Sequence, residues 1–486
     1  MELQKSLKRD RSILISHNRR MFRVFFALLL LVFSAHAQFR AGAAAEDVTP
    51  TEWPLAMRGS FRPQLTESAH DPLHSRAVVF DDGRIRIAIA VVDSCMVGRD
   101  VLDRAKEIVA EKTDIPTERI LISATHTHSA PFANARNGTP QELAYQKLLT
   151  AGIAESIVKA NAALQPAEFG SSGQDLPDEV FNRRWFLKAG TMPVNPFGSD
   201  QDLVKMNPGY GPHLIKPAGP TDPEVATFSV RDLKNRPLAL IANYSLHYVG
   251  TIPDNQVSAD YFGEFSRLIG VRLRRPADSG FVGILSNGAS GDVNNINFEE
   301  RRPPREPFEQ VRQVATKVAD SAFRAYATID HRRDVTLRMI ERKLTLKLRI
   351  PTAEDIERSK RYLAAEDEKS VPPLGKIYAR SILEHLKLGE TTEIKIQAVR
   401  IGDLAICTFP FEVFAEIGLN IKAKSPFADT FVIELANGAM GYLPTEEQHV
   451  LGGYETWLTT SKVQKDADKV ITRNLIEMMA ELASKR

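Results

Sequence analysis

The stretch Arg119-Ile-Leu-Ile-Ser-Ala-Thr-His126-Thr-His128-Ser-Ala-Pro131 sets the reading of the fold. From Arg119 to Ala124 it is a short apolar run, a length that suits a buried strand rather than a helix. Thr-His-Thr-His follows at once, so both imidazoles stand at the end of that strand. Period-two geometry is expected to put them on one face. Upstream, Asp100–Lys112 reads as a helix with Val101, Ala105, Ile108 and Val109 on one side. Before it, Ala77–Phe80 and Ile85–Val92 flank Asp-Asp-Gly, a hairpin signal.

Downstream the alternation continues. Leu143–Ala163 reads as a long helix; Thr227–Val230, Leu238–Tyr244 and Phe281–Leu285 read as strands; Gln310–Ala327 reads as a helix. Val335–Ile350 is expected to be a β-rich pair. Ala353–Ala365 and Gly375–Leu388 are charged helices, Ile394–Ile401 and Leu404–Phe409 a hairpin around Gly402-Asp403, and Ser461–Ser484 a last helix. Strands interleaved with helices point to a mixed α/β (α+β) fold, a layered β-sheet core flanked by helices. Two loops rich in Pro, Pro196–Pro223 and Arg301–Pro307, are long enough for functional loops. No repeat and no Pro/Ser-rich linker divides the chain, so one catalytic domain is expected from residue 38 to 486.

Composition excludes several classes. Of 486 residues, 43% are hydrophobic and 26% charged, which is ordinary globular usage. The formal net charge is +2, but residues 1–37 hold seven Lys/Arg against two acids, which leaves the other 449 residues at −3. A mildly acidic body argues against nucleic-acid binding. Arg19, Arg20 and Arg23 precede the apolar run Val24–Phe33 and then Ala35-His-Ala37. That order describes a secretory signal peptide over 1–37, cleaved near Ala37, and so an exported protein; Met21 is an alternative start. The two cysteines, Cys95 and Cys407, lie in or beside apolar runs and read as buried thiols, with a disulfide between them left open.

The candidate chemistry sits at strand ends. His126 and His128 share a face and suit a metal, as His-x-His does in amidohydrolase barrels and metallo-β-lactamases. An eight-fold barrel, however, does not suit the hairpins. His247 closes the apolar run that begins at Leu238, three residues after Tyr244. Gly288-Ala-Ser-Gly-Asp292-Val-Asn294-Asn follows another strand and makes a tight loop, without the Lys-Ser/Thr ending of a phosphate loop. Glu412 opens a helical run after the strand Leu404–Pro410, and Gly441-Tyr442 follows Thr430–Leu435.

Taken in order, these motifs resemble the catalytic domain of neutral (non-lysosomal) ceramidases. Glu46-Asp47-Val-Thr-Pro50 is similar to the family's opening Asp-Ile-Thr-Pro, and Met57-Arg-Gly-Ser to its Met-Gly-Tyr turn. Thr125-His126-Thr127-His128-Ser129-Ala-Pro131 resembles Thr-His-Thr-His-Ser-Gly-Pro, and Asn182-Arg183 resembles a substrate-binding Asn-Arg pair. His247, Ser258-Ala-Asp260 and Gly291-Asp292-Val293 follow in family order, then Phe409-Pro-Phe-Glu412, Ala439-Met-Gly441-Tyr442 and Gly453-Tyr454-Glu455.

The resemblance implies one zinc ion per chain, held by His126, His247, Glu412 and Tyr442. Zinc accepts such N and O donors and leaves a position for water. It further implies His128 as proton shuttle or oxyanion donor, Arg183 as the group that orients a carbonyl or carboxylate, and Asp292 and Asn294 as catalytic-loop residues. The expected activity is hydrolysis of an amide bond by a metal-hydroxide mechanism, on N-acyl sphingosine or another lipid or small N-acyl substrate, with peripheral membrane contact. Two features depart from the family pattern. Asn294 stands where the family has a serine, and only about thirty residues follow Glu455, too few for the family's immunoglobulin-like domain. Asn294 motivates the alternative of a non-catalytic, metal-binding or structural member of the same fold.

Overall fold

Alternation along the strands dictates how the layers stack. The computed structural model describes residues 38–61, 64–253 and 255–484. Its largest sheet is built from β1 (Arg40–Asp47), β2 (His74–Asp81), β3 (Arg86–Val92), β4 (Ile120–Ala124), β5 (Gln165–Asp175), β6 (Glu224–Asp232), β7 (Pro237–Tyr244) and β8 (Val282–Asn287). The spatial order is β8-β7-β6-β5-β1-β2-β3-β4. Only two residue pairs, Arg40↔Pro166 and Ala41↔Gln165, join β1 to β5. The sheet is therefore two four-stranded halves. A second sheet runs in the order β9 (Leu337–Lys347), β10 (Thr391–Ile401), β11 (Leu404–Thr408) and β12 (Asp429–Ile433).

All three layers present one face to a common core. Val78, Phe80, Ile87, Ile89 and Val91 meet Ala239, Ile241, Val282 and Ile284 there, together with Val399, Ile401, Leu404, Ile406, Phe431 and Ile433. Each such Val, Ile, Leu or Phe side chain stabilises the fold by roughly 1.5–3 kcal/mol on burial. The intervening residues face outward onto helices. Ala88, Ala90 and Val92 pack under α1 (Arg99–Lys112) and α2 (Pro140–Ala162). Leu240, Ala242 and Tyr244 pack under α3 (Asp260–Arg272) and α4 (Glu309–Thr328). Ala405, Cys407 and Val432 pack under α5 (Ala415–Lys424) and α6 (Ala467–Ser484). Phe39–Arg486 clusters as one compact unit. The expected leader, 1–37, lies outside the described residues. Among the described residues, no helix is long and apolar enough to cross a membrane.

Several expectations need correction. Val335–Ile350 is not a pair of strands but the single strand β9, which pairs with β10 along its whole length. The segment Pro196–Pro223 is ordered, and its strands Val204–Met206 and Leu214–Pro217 flank Arg184–Leu187. Cys95 and Cys407, by contrast, are buried thiols as the sequence suggests, and both are free. The strands β1 and β5 and the helix α3 were not expected from the sequence.

Topology brings distant strand ends together. Within the sheets β3 runs parallel to β4, β7 to β8 and β11 to β12. The segment after β12 then bridges both edges of the large sheet. Glu434 N donates to Asn287 O (3.2 Å) at the end of β8, and Asn437 N to Ile122 O (3.0 Å) on β4. The loops that leave the carboxyl ends of β4, β7, β8, β11 and β12 therefore share one region, the usual place for a ligand in a sheet of this kind.

Candidate metal centre

His126 does not continue β4. Its φ of 75° places it in the left-handed region, which costs on the order of 1–3 kcal/mol for a residue with a Cβ and persists where surrounding structure over-determines it. Its amide donates to Ser94 O (2.9 Å), and that of Thr125 to Val92 O (2.9 Å). The expected period-two face is thus replaced by a turn, yet both imidazoles still converge. His126 Nε2 lies 3.1 Å from His128 Nε2 and 2.9 Å from His247 Nε2.

The other ring nitrogens fix the tautomers. His126 Nδ1 donates to Cys95 O (2.7 Å) and His247 Nδ1 to Ser290 O (3.0 Å). With Nδ1 the donor in both rings, the two Nε2 atoms face each other at 2.9 Å, an approach that calls for a proton or a cation between them. Glu412 supplies the counter-charge. Its Oε2 lies 3.4 Å from His126 Nε2 and 3.6 Å from His247 Nε2, and it is a buried carboxylate oxygen without a hydrogen-bond partner. Converging imidazole nitrogens beside an orphaned carboxylate oxygen fit a divalent cation that takes N and O donors.

Tyr442 arrives by backbone pairing. Glu412–Val413 and Tyr442–Leu443 form a short parallel pair in which Glu412 is opposite Tyr442, and Glu412 N donates to Gly441 O (2.9 Å). The expected helix therefore starts after Glu412, at Ala415. Arg183 Nη2 donates to Tyr442 Oη (3.1 Å), while its Nε donates to Glu455 Oε1 (3.0 Å). Glu455 Oε2 also accepts from Arg184 Nη1 (2.7 Å). Arg183 thus braces Tyr442 with these two donors.

Electrostatics confine one positive charge to the centre. Burial, and then the charge on His126, hold His128 and His247 well below the ordinary histidine value. Burial opposes protonation of His126 too, but the Cys95 sulfur and the Glu412 carboxylate outweigh it, and its pKa is raised well above that value. Burial pushes Glu412 up, yet His126, Tyr442 and Arg183 bring it below the usual glutamate value. Burial, with the charge of Glu412 next, drives the Tyr442 phenol well up. In the absence of a metal, a proton on His126 neutralises Glu412; a bound cation would replace it and invert the local pKa order.

Asp292 and Asn294 lie in the supporting loop. Asp292 Oδ1 accepts from Ala415 N (2.8 Å) at the start of α5, its Oδ2 from Asn182 Nδ2 (2.7 Å), and its carbonyl from Arg183 N (2.8 Å). Burial raises its carboxyl to about 6. Asn294 Nδ2 donates to Asn207 Oδ1 (2.8 Å) and its Oδ1 accepts from Ile296 N (3.0 Å). Sequence reasoning missed Glu434, which accepts from Ser290 Oγ (2.7 Å) and Val413 N (2.7 Å) and so links the backbone behind His247 to that behind Glu412. An acid at the end of the apolar run Phe431-Val-Ile433 was the available signal. It also missed Tyr248, whose ring stacks on His128 at 3.7 Å between centroids.

The sequence model described as neutral/alkaline non-lysosomal ceramidase, N-terminal, matches residues 39–300, more than half of the chain. Neutral ceramidase B of Dictyostelium discoideum is 26% identical over 276 residues, 54% of this chain and 36% of that protein. Neutral ceramidase A of the same organism is 25% identical over 277 residues, again 54% and 36%. The aligned region thus spans little more than a third of either relative. The crystal structure of neutral ceramidase from Pseudomonas aeruginosa superposes with a TM-score of 0.68 at 18% identity, over 92% of this chain and 74% of that one. A ceramidase complexed with C2 gives 0.67 at 16% identity, over 92% and 75%. These two likenesses concern the fold. Glu412 and Tyr442 lie beyond residue 300, so their place at the centre rests on geometry.

Proposed function

The chain belongs to the neutral/alkaline non-lysosomal ceramidase family, and from that premise we propose that it is an exported, zinc-dependent hydrolase of the amide bond in an N-acyl lipid. The observation that carries the reading is the unpartnered Glu412 Oε2, facing two Nε2 atoms whose rings are locked by backbone carbonyls. His126, His247, Glu412 and Tyr442 would hold the ion. When bound, zinc supplies a Lewis acid for the carbonyl and a water of lowered pKa.

The chain's own residues supply the rest. His128 has its Nε2 at the centre and its ring fixed between the Gly59 backbone and the Tyr248 ring, so it can hold or pass a proton there. The Arg183 guanidinium, anchored on Glu455, favours the phenolate form of Tyr442. A wall of aromatic rings leads away from Tyr442 and supports an apolar substrate. Tyr442 meets Tyr454 at 5.5 Å, Tyr454 meets Trp457 at 5.9 Å, and Tyr378 lies 5.5 Å from Trp457. Phe61, 42% exposed, contacts Tyr454 at the outer end.

The test is release of free amine from a short-chain N-acyl sphingosine by the mature chain, before and after chelation. The expected result is turnover that chelation abolishes and zinc restores. Turnover indifferent to chelation, or no turnover of any N-acyl compound by the zinc-loaded chain, would contradict the proposal.

A further inference from the structure

The loop that carries Asp292 also walls a second cavity, of about 410 Å³, which none of the candidate metal ligands line. Its other side is the Arg301–Pro307 loop, singled out in the sequence and not used by the metal centre. Three buried side-chain atoms without partners belong to residues lining this cavity: Arg305 Nε, Asn295 Nδ2 and Gln310 Oε1. Asn295 is 8% exposed and Gln310 4%, so water satisfies neither readily.

Lys317 is paired with Glu179, but Arg302 and Arg305 on the same lining lack counter-charges. Arg305 gives an Nη1 hydrogen bond to the neutral Gln313 Oε1. Among the described residues, neither Arg302 nor Arg305 has a carboxylate within ion-pair distance, and burial followed by the charge of Arg305 lowers the pKa of Arg302. Glu179, the buried acid of the cavity, is already taken by Lys317 Nζ (2.5 Å) and Gln310 Nε2 (3.3 Å). Paired guanidinium groups next to an unpartnered amide N–H suit an oxyanion, which accepts from both. Gln310 Oε1 further asks for a donor. A hydrogen phosphate or a monoanionic phosphate monoester has acceptor oxygens and a hydroxyl, whereas a carboxylate would leave Gln310 Oε1 unanswered. Asp178 and Glu300, exposed on the same lining, disfavour a polyanion.

We infer that this cavity is a phosphate site, which takes a single phosphate group, either as free inorganic phosphate or as the monoester head group of a phosphatidic-acid lipid. Arg302 and Arg305 hold the charge, Asn295 donates, and Gln310 accepts from the phosphate hydroxyl. The inference is independent of the metal centre.

Calorimetric titration of the full chain with inorganic phosphate tests it. Saturable binding is expected in the wild type, weakened about tenfold or more in Arg305→Gln and in Arg302→Gln. Arg302 lies on the surface loop with its guanidinium turned to the cavity lining, so that variant is expected to fold, and zinc content serves as the control for both. Sedimentation with phosphatidylcholine vesicles, with and without phosphatidic acid, separates the two sources. Retention only on phosphatidic acid, reversed by inorganic phosphate, assigns the lipid; calorimetric binding without retention assigns the free ion. No saturable binding by the wild type, or equal binding by both variants, overturns the inference.

Discussion

Glu412→Gln keeps the size of the side chain and the bond from its amide to Gly441 O, but removes the negative charge that faces His126 and His247. The expected outcome is a folded protein with background zinc content by elemental analysis; full metal retention would refute the ligand assignment. Asn294→Ala makes the contrast. It loses the bond to Asn207, worth on the order of 1 kcal/mol, and should lower activity while zinc content stays unchanged. The histidines were legible because their identity and their place after an apolar run are properties of the sequence. The left-handed turn at His126 was not, since nothing in Thr-His-Thr-His signals a positive φ. Nor was the bracing of Tyr442 by Arg183, which joins residues far apart in the chain.

Elements with strong periodicity, such as α1, β3 and β11, stand close to where the sequence placed them. Those it missed have compositions set by close packing rather than by propensity. In β1, Arg40-Ala-Gly-Ala-Ala-Ala-Glu-Asp47, a Cβ on Gly42 would lie 2.2 Å from Ala160 O, so α2 presses on a strand that has no room for β-branched residues. The loop that carries Asp292 shows the same constraint. A Cβ on Gly291 would lie 2.6 Å from Glu412 O, and backbone cannot swing aside. Gly291→Ala should destabilise the fold by roughly 1–3 kcal/mol and weaken zinc binding together, measured by thermal melting and metal titration. Between α1 and the second sheet, Lys106 is buried with its Nζ on Asn437 Oδ1 (2.7 Å), and burial lowers its pKa to about 8 from 10.5. The unfolded chain therefore binds more protons between those values, and wild-type stability should rise with pH through that window by on the order of 3 kcal/mol. Lys106→Met should flatten that rise in denaturant titrations at pH 8 and 10; an unchanged slope would show that Lys106 does not titrate there.

At the scale of the molecule, the candidate ligands come from separate segments, and the stretch after β12 ties β4 to β8 beneath them. Such contacts between residues 122 and 437, or 287 and 434, leave no mark on local periodicity, so the layered class was legible and the closure of three layers around one core was not. Because the segments are separate, a bound ion would hold the layers together, and a ligand that binds only the folded state stabilises it by mass action. Chelation should lower the melting temperature by a few degrees, and added zinc should restore it; equal melting temperatures would contradict an ion that links the layers. The most direct test is the metal content of the chain from residue 38, purified without added metal. About one zinc per chain is the expected result for a site of this donor set. No zinc, even after incubation with it, would contradict the metal centre.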